Sequence, residues 1–287
     1  MHPIFSSHVT DANVFFAISI AIELVSVLLN LLLITQLVKQ ASRNLCHGLT
    51  FLVCTTDCVF SLCALVKDSL RAAVGNNTFH RSGWYCNYLE TSCIVLVCLS
   101  SMLVGMLALE RYLFICRSTS VSPLLAFVVL SAGFISLVTL GIGTGIIKGY
   151  AVDRIGVFCL PRNTRWAKSF EILVEGILML SMAILILCYI CIYRFLSSRD
   201  FPIVFNSDRA LLPIIIYCFT FFPFGVYVAL MNVMGKENVP KVFLMVALLT
   251  LATVPIANSI IVFYFQPTIR KTLQGVFKTY CYLKLKK

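Results

Sequence analysis

The feature that most constrains this chain is a series of seven long stretches in which charged residues are almost absent. Each stretch holds roughly 20 residues or more, the length that an α-helix needs to cross the hydrocarbon core of a bilayer. The 287 residues are 60% hydrophobic and only 12% charged, whereas a soluble domain carries about 25% charged residues. Too little polar surface remains to cover a water-soluble globule, so lipid is the solvent that suits this sequence. The stretches are Val14–Val38, Gly48–Val66, Asn87–Leu109, Pro123–Ile147, Phe170–Leu196, Ala210–Met231 and Val242–Phe265.

This pattern predicts an all-α membrane protein, a seven-transmembrane helix bundle with short connections. Residues 1–13 form a short extracellular N-terminus, residues 14–265 form the bundle, and residues 266–287 form a cytoplasmic tail. No basic segment precedes the first apolar stretch, so we expect that stretch to act as its own uncleaved signal.

The orientation follows from the distribution of basic residues. Seven spans place the termini on opposite sides, and with the N-terminus outside, 13 basic residues face the cytoplasm and 10 face outward. The positive-inside rule therefore favours this orientation by a small margin. The sequon at Asn76 falls on the proposed outer side and predicts a glycoprotein at the plasma membrane.

The last 22 residues predict a short amphipathic helix in the membrane interface. Ile269, Leu273 and Phe277 share an apolar face, with basic residues off it. Cys281 beside those basic residues is a candidate for palmitoylation. Membrane topology and this tail account for the net charge of +11, and no soluble basic face is left for nucleic acid.

The third stretch ends in Glu110-Arg111-Tyr112, the strongest local motif in the chain. Cys86 precedes Arg111 by 25 residues, which is roughly 37 Å of helix. An arginine at the inner surface below a cysteine at the outer one resembles the third helix of rhodopsin-like (class A) G-protein-coupled receptors. The resemblance implies a disulfide bond from Cys86 to Cys159 in the second outer loop, where an oxidising compartment favours pairing.

The same resemblance extends to polar residues inside the other stretches. Asn30, Asp57, Ser100 and Asn258 match a polar network that binds a sodium ion in the family. A buried acid in mid-membrane indicates function by default. The alternative is a neutral Asp57 hydrogen-bonded to Asn30 and Asn258, with no ion and no other cofactor.

The resemblance also implies an activation mechanism. Ligand would swing the sixth helix outward about a proline and open a cytoplasmic cleft for a heterotrimeric G protein, while Arg111 leaves its resting partner Glu110. A missing acid at the foot of the sixth helix predicts raised basal signalling. The residues matched to coupling and activation are Glu110, Arg111, Tyr112, Tyr189, Phe221, Pro223 and Asn258.

Several family positions differ in this chain. Phe221 stands where the family has a tryptophan, and Ser259 and Val262 replace the proline and tyrosine of the seventh helix. Pro255, one turn earlier, is expected to kink that helix instead.

Two positions at which this chain differs from known receptor classes narrow the class of ligand. Cys93 stands where amine receptors have an aspartate, which disfavours a monoamine, and Ala252 stands where opsins have the lysine that holds retinal. A small molecule or a short peptide remains as the ligand. The alternative for most of the polar residues near the outer ends is that their long side chains only reach toward solvent. The candidate ligand-pocket residues are Lys67, Glu90, Cys93, Glu171, Glu175, Phe221 and Tyr227.

Other classes of function fit less well. A transporter would place several charges in spans, whereas only Glu23, Asp57 and Glu175 lie deep. A membrane enzyme would need a metal or catalytic cluster, and the four histidines lie near ends or loops. A receptor-like protein that has lost coupling remains an alternative, because the sixth- and seventh-helix motifs are altered.

Overall fold

The structure, a computed structural model, describes residues 4–40, 44–74, 85–152, 159–161, 164–198, 208–234 and 239–265. The described helices are α1 (Ile4–Lys39), α2 (Leu45–Val74), α3 (Thr91–Tyr112), α4 (Pro123–Ile146), α5 (Arg165–Ser197), α6 (Asp208–Met234), α7 (Lys241–Ala252) and α8 (Val254–Phe265). Short π-helical segments, Tyr85–Glu90 and Leu113–Arg117, extend α3 at both ends. Two short strands, β1 (Tyr150–Val152) and β2 (Cys159–Pro161), pair antiparallel.

Long apolar helices make this a multi-pass membrane protein. Within the described ranges, six helical stretches are long and apolar enough to cross a bilayer, and a shorter one, Leu211–Tyr227, lies in α6. The last of the six, Val242–Phe265, runs through α7 and α8. Large apolar side chains face outward on these helices, as Phe127 of α4 does with 68% of its surface exposed. Such a surface is stable in lipid, which solvates apolar side chains as well as a protein core does.

The first helix begins before its apolar part does. α1 starts at Ile4, within the predicted N-terminal segment, while the stretch able to span starts at Val14, as the sequence predicts. Asn76, the predicted interfacial helix at 266–287 and Cys281 lie outside the described residues.

The helices pack in chain order around α3. That helix contacts α2, α4 and α5, and the ring closes where α1 meets α7 and α8. Leu103, Leu107 and Ala108 of α3 are buried in the main core with Leu185 and Tyr189 of α5.

Proline interrupts the last span at the place the sequence predicts. The helix stops at Ala252 and resumes at Val254, just before Pro255. A proline cannot donate a backbone hydrogen bond and clashes with the carbonyl four residues earlier. At the break, Thr253 N–H donates to the Thr250 carbonyl at 3.1 Å.

The strands mark one end of the bundle, named here the hairpin end; the opposite end, at Glu110-Arg111-Tyr112, is the arginine end. β1 packs on the π-helical segment Tyr85–Glu90 that opens α3. The backbone N–H of Tyr150 donates to Asn87 Oδ1 at 2.9 Å. This contact fixes the hairpin over the start of α3.

Alanine substitutions at two glycines test how tightly the helices pack. A Cβ on Gly145 of α4 would lie 3.0 Å from the backbone oxygen of Asn87, whereas one on Gly176 of α5 would meet nothing within 4 Å. We expect Gly145→Ala to lower the free energy of unfolding by about 1–3 kcal/mol through overpacking. Gly176→Ala, the matched control, should be neutral or stabilising by about 0.5–1 kcal/mol, since alanine suits a helix interior better. Thermal unfolding in detergent measures both, and equal effects would contradict the packing at Asn87.

Candidate functional site

The main cavity of the described structure opens at the hairpin end between α1, α2, α3, α5, α6 and α7. Its volume is about 220 Å³, below the 300–1,000 Å³ typical of small-molecule sites. Six of the seven predicted ligand-pocket residues line it: Lys67, Glu90, Cys93, Glu171, Glu175 and Tyr227.

Phe221 is the predicted pocket residue that does not line this cavity. Its ring stacks on Tyr217 at a centroid distance of 5.9 Å, and it lines a separate small space beside Ser181. Phe224, one turn further along α6, lines the main cavity instead. Phe221 therefore packs in the core below the cavity. It is not positioned to touch a ligand in the cavity.

An ion pair in the cavity wall joins α2 to the π-helical segment that opens α3. Lys67 Nζ donates to Glu90 Oε2 at 3.2 Å and lies 3.7 Å from Asp68 Oδ1. The Arg71 guanidinium lies 4.9 Å from the centre of the Phe16 ring, a cation–π arrangement that also ties α2 to α1. Both basic groups of the cavity are thus held against its wall.

Tyr150 of β1 closes one side of the cavity. Its ring packs edge-on against Phe170 with centroids 6.5 Å apart. Burial, and then the nearby acids Glu171 and Glu90, raise the pKa of the Tyr150 phenol. The hydroxyl therefore stays protonated at physiological pH and faces the acids as a neutral group.

Glu23 of α1 and Asp68 of α2 are deeply buried acids of the cavity wall, each 3% exposed. Glu23 Oε1 accepts a hydrogen bond from Ser19 Oγ at 3.0 Å. Its Oε2 accepts from no donor among the described residues, and the Asp68 side chain lies within hydrogen-bond reach of the carboxyl group. An unpaired buried carboxylate oxygen is costly, so this atom marks a position where a partner would be stabilising.

A buried polar network lies between the cavity and the arginine end. Ser100 Oγ donates to Asp57 Oδ1 at 2.5 Å, and Asn258 Nδ2 donates to Asp57 Oδ2 at 2.8 Å. Asn258 Nδ2 also lies 3.1 Å from Ser100 Oγ, while the hydroxyl of Tyr217 donates to Asn258 Oδ1. The network joins α2, α3, α6 and α8, and it brings together three of the four residues predicted for it.

Asn30 is the fourth predicted network residue, and its bonds lie elsewhere. Its Nδ2 donates to the Ser26 carbonyl at 3.0 Å, and Ser26 Oγ lies 2.6 Å from Ser61 Oγ. Both oxygens of Asp57 are already engaged by protein donors. These donors satisfy the carboxylate without an ion, and within the described residues no three His, Cys, Asp or Glu side chains group to hold a metal.

Arg111, at the opposite end of α3, pairs with α5 and α8. Its Nη1 donates to the Tyr189 hydroxyl at 2.7 Å, and its guanidinium lies 4.6 Å from the centre of the Phe265 ring. Glu110 instead accepts the backbone N–H of Val121 at 2.7 Å. No ion pair joins Glu110 to Arg111 in this part of the described chain. The resting-state pairing predicted from the resemblance is therefore not the arrangement found here.

The remaining motif residues lie near these contacts. Tyr112 is beside Arg117 in the π-helical extension of α3. Pro223 lies inside α6, two residues beyond Phe221.

The backbones of Cys86 and Cys159 lie at the same end of the bundle. Cys86 belongs to the segment on which β1 packs, and Cys159 opens β2, where it pairs with Val152. Their side chains lie outside the described part of the chain, so the disulfide stays a prediction.

Comparison of the sequence with protein-family models and with curated proteins gives no match. The similarity to rhodopsin-like receptors therefore rests on motifs and their spacing alone. The class of protein that the fold defines is a multi-pass helical membrane protein with a cavity at one end.

Sequence reasoning missed three residues that shape these sites. Glu23 carried a usable signal, because it is an acid within an apolar stretch, but nothing tied it to the ligand pocket. Tyr150 carried no signal, because an aromatic residue near the end of a span is common at a membrane interface. Tyr217 lies well inside its apolar stretch, where nothing in the sequence distinguishes it from the other aromatic residues.

The proposed disulfide can be tested by substitution. Cys86→Ser and Cys159→Ser should each lower the free energy of unfolding by about 2–5 kcal/mol and reduce the amount of protein at the cell surface. The double variant should be no worse than either single one, because one bond is lost in all three. Cys191→Ser, at an exposed cysteine of α5, serves as control. Additive losses in the double variant would rule out a shared bond.

The polar network predicts that replacing two serines will change the free energy of unfolding by different amounts. Ser100→Ala removes a donor to Asp57 and should lower the free energy of unfolding by about 1–3 kcal/mol. Ser136→Ala should change it by less than about 0.5 kcal/mol, because Ser136 is exposed and donates only to the Ala132 carbonyl of its own helix.

A double-mutant cycle separates this network from general packing. In an Asp57→Ala background the cost of Ser100→Ala should fall to near the Ser136→Ala value. An unchanged cost, measured by thermal unfolding in detergent, would place the energy of Ser100 outside the network.

Proposed function

We propose that this protein is a receptor of the rhodopsin-like G-protein-coupled class, which passes the binding of an extracellular small molecule to a heterotrimeric G protein. The proposal combines a cavity at the hairpin end with an arginine–tyrosine contact at the other end and a polar network between them. Its seventh span is α6, whose 27 residues correspond to roughly 40 Å of helix. The N-terminus and the hairpin then face the outside of the plasma membrane, with Asn76 glycosylated.

One observation carries the proposal: the helices that the polar network joins also extend to the hairpin end and to the arginine end of the bundle. Tyr217 bonds to Asn258 in the network, and its ring stacks on Phe221. Phe224, one turn above Phe221, lines the cavity. A ligand that packs against Phe224 therefore acts on the helix that the network holds.

Coupling between the cavity and the arginine end requires a helix that can adopt two conformations. Pro223 supplies a position in α6 where a backbone hydrogen bond is missing, so bending costs less there. The ligand shifts the equilibrium only by its difference in affinity for the two arrangements. Opening at the arginine end would then expose Arg111 to the partner G protein.

The contacts of Arg111 support raised basal signalling. The family resemblance gives the helix-five tyrosine a supporting role in the signalling state, and Arg111 is bonded to Tyr189 here. Glu110, its expected resting partner, accepts from Val121 instead. An arginine already released from its acid needs less free energy to reach the signalling state.

The size of the cavity favours a small molecule over a peptide. About 220 Å³ is less than most drug-sized ligands fill.

Two rival functions make different predictions. A receptor-like protein that has lost coupling would bind ligand without stimulating nucleotide exchange, and a transporter would show substrate flux in proteoliposomes. The altered motifs at Phe221, Ser259 and Val262 motivate the first rival.

Nucleotide exchange on purified G proteins, with the full-length chain in lipid nanodiscs, tests coupling. Basal exchange should exceed that of empty nanodiscs, and Arg111→Ala should abolish the excess. Tyr189→Phe should lower it by about tenfold, the effect of losing a hydrogen bond to a charged group. Tyr193→Phe, one turn along the same helix, is the matched control and should leave it near wild type. Equal basal exchange from wild type and Arg111→Ala, across all G-protein families, would refute coupling.

A further inference from the structure

The described lining of the cavity carries more negative than positive charge. Five acidic side chains face two basic ones, Lys67 and Arg71. Lys67 is already paired with Glu90 and close to Asp68. Its positive charge is therefore offset by the acids beside it. The acidic residues are Glu23, Asp68, Glu90, Glu171 and Glu175.

Glu23 distinguishes this cavity from a solvated acidic cluster. Its side chain is 97% buried, given its 3% exposure, and it stands in the cavity wall. Oε1 accepts from Ser19 and Oε2 has no donor among the residues described, while the carboxyl group of Asp68 lies within hydrogen-bond reach of Glu23. A hydrogen-bond donor bearing a positive charge is the group that would satisfy this oxygen best.

Among the described residues, Asp68 and Lys67 are the charged groups that act on Glu23 electrostatically. Asp68 has the same sign as Glu23, and Lys67 donates its hydrogen bond to Glu90. A cation entering the cavity would therefore meet two neighbouring carboxyl groups, Glu23 and Asp68, in a region of low dielectric constant where their attraction is strong.

Aromatic rings surround the same region. The faces of such rings attract cations and their edges pack against apolar groups. The rings in the lining are those of Phe15, Phe16, Phe60, Tyr150, Phe224 and Tyr227. This combination suits a small ligand with one charged end and an apolar body.

We propose that the ligand is a small organic cation whose ammonium or guanidinium group binds Glu23 and whose apolar part packs among these rings. The site itself stands on geometry, and its role in signalling rests on the proposed receptor function. Glu23 is the binding residue, and Asp68 adds charge beside it.

The proposed anchor differs from that of amine receptors, whose aspartate is replaced here by Cys93. That position lies on α3 in the same cavity, and there the chain has a buried thiol. Glu23 supplies the carboxylate from α1 instead. The charged end of the ligand would therefore lie toward α1 and α2, away from the position that amine receptors use on their third helix.

Three probes of matched shape test the charge requirement: 2-phenylethylammonium, neutral 2-phenylethanol and anionic 3-phenylpropanoate. Each is titrated against the full-length protein in nanodiscs, with the shift in thermal unfolding as readout. The ammonium should stabilise the wild-type protein saturably, with affinity at least about tenfold above the other two probes. Tightest binding of the anion or the alcohol, or no binding of the ammonium, would overturn the proposal without any variant.

Two variants then locate the charged group. Glu23→Gln keeps the size of the side chain and should weaken the ammonium at least about tenfold, so that it no longer outbinds the alcohol. Glu175→Gln removes the same charge from another wall of the cavity and should weaken it less. Equal losses, or a larger loss at Glu175, would refute Glu23 as the anchor.

Nucleotide exchange measured on the same samples separates this proposal from the receptor function. Ammonium binding that depends on Glu23 but never alters exchange supports the cation site and counts against the receptor. Exchange driven by some other compound, with no ammonium binding, keeps the receptor and eliminates the cation site.

Discussion

Everything in this bundle depends on one constraint, that polar groups buried in a bilayer must be satisfied by other groups of the protein. Asp57 shows the consequence most directly. Its two carboxylate oxygens accept from Ser100 and Asn258, and Asn258 in turn accepts from Tyr217. Four helices are tied together through these side chains. Lipid is as apolar as the helices, so packing alone gives little preference for one arrangement, and such bonds specify it.

The same constraint makes the exceptions informative. Several buried hydroxyls in the described helices bond to a carbonyl three or four residues earlier, as Thr50 does with Cys46. The Glu23 Oε2 and Asn30 Oδ1 atoms accept from no donor there. Glu23 lies in the wall of the cavity and Asn30 does not. An unsatisfied polar atom beside a space can gain a partner from a ligand, whereas one within packed helices cannot.

Where the chain differs from the rhodopsin-like motifs that it resembles, neighbouring residues make related contacts. Pro255 interrupts the last span, although Ser259 stands where rhodopsin-like receptors have a proline. Val262 is buried and carries no hydroxyl, but Phe265, almost one turn later, places its ring against Arg111. Tyr189 also packs against Phe265 with centroids 5.8 Å apart. The arginine end is therefore held by a compact group of three side chains from α3, α5 and α8.

The sequence by itself determined which segments lie in lipid and which end of α3 carries Arg111, because length and apolarity decide insertion. It also predicted six residues of the cavity, five from polar side chains in the outer parts of the spans and one, Cys93, from the family resemblance. Only the tertiary structure decided that Glu110 bonds to Val121, that Phe221 turns toward Tyr217, and that Glu23 joins the cavity. In a bilayer both the inner and the outer face of a helix are apolar, so amphipathic periodicity does not encode helix rotation. Contacts between helices set that rotation, and with it the partner of each polar side chain.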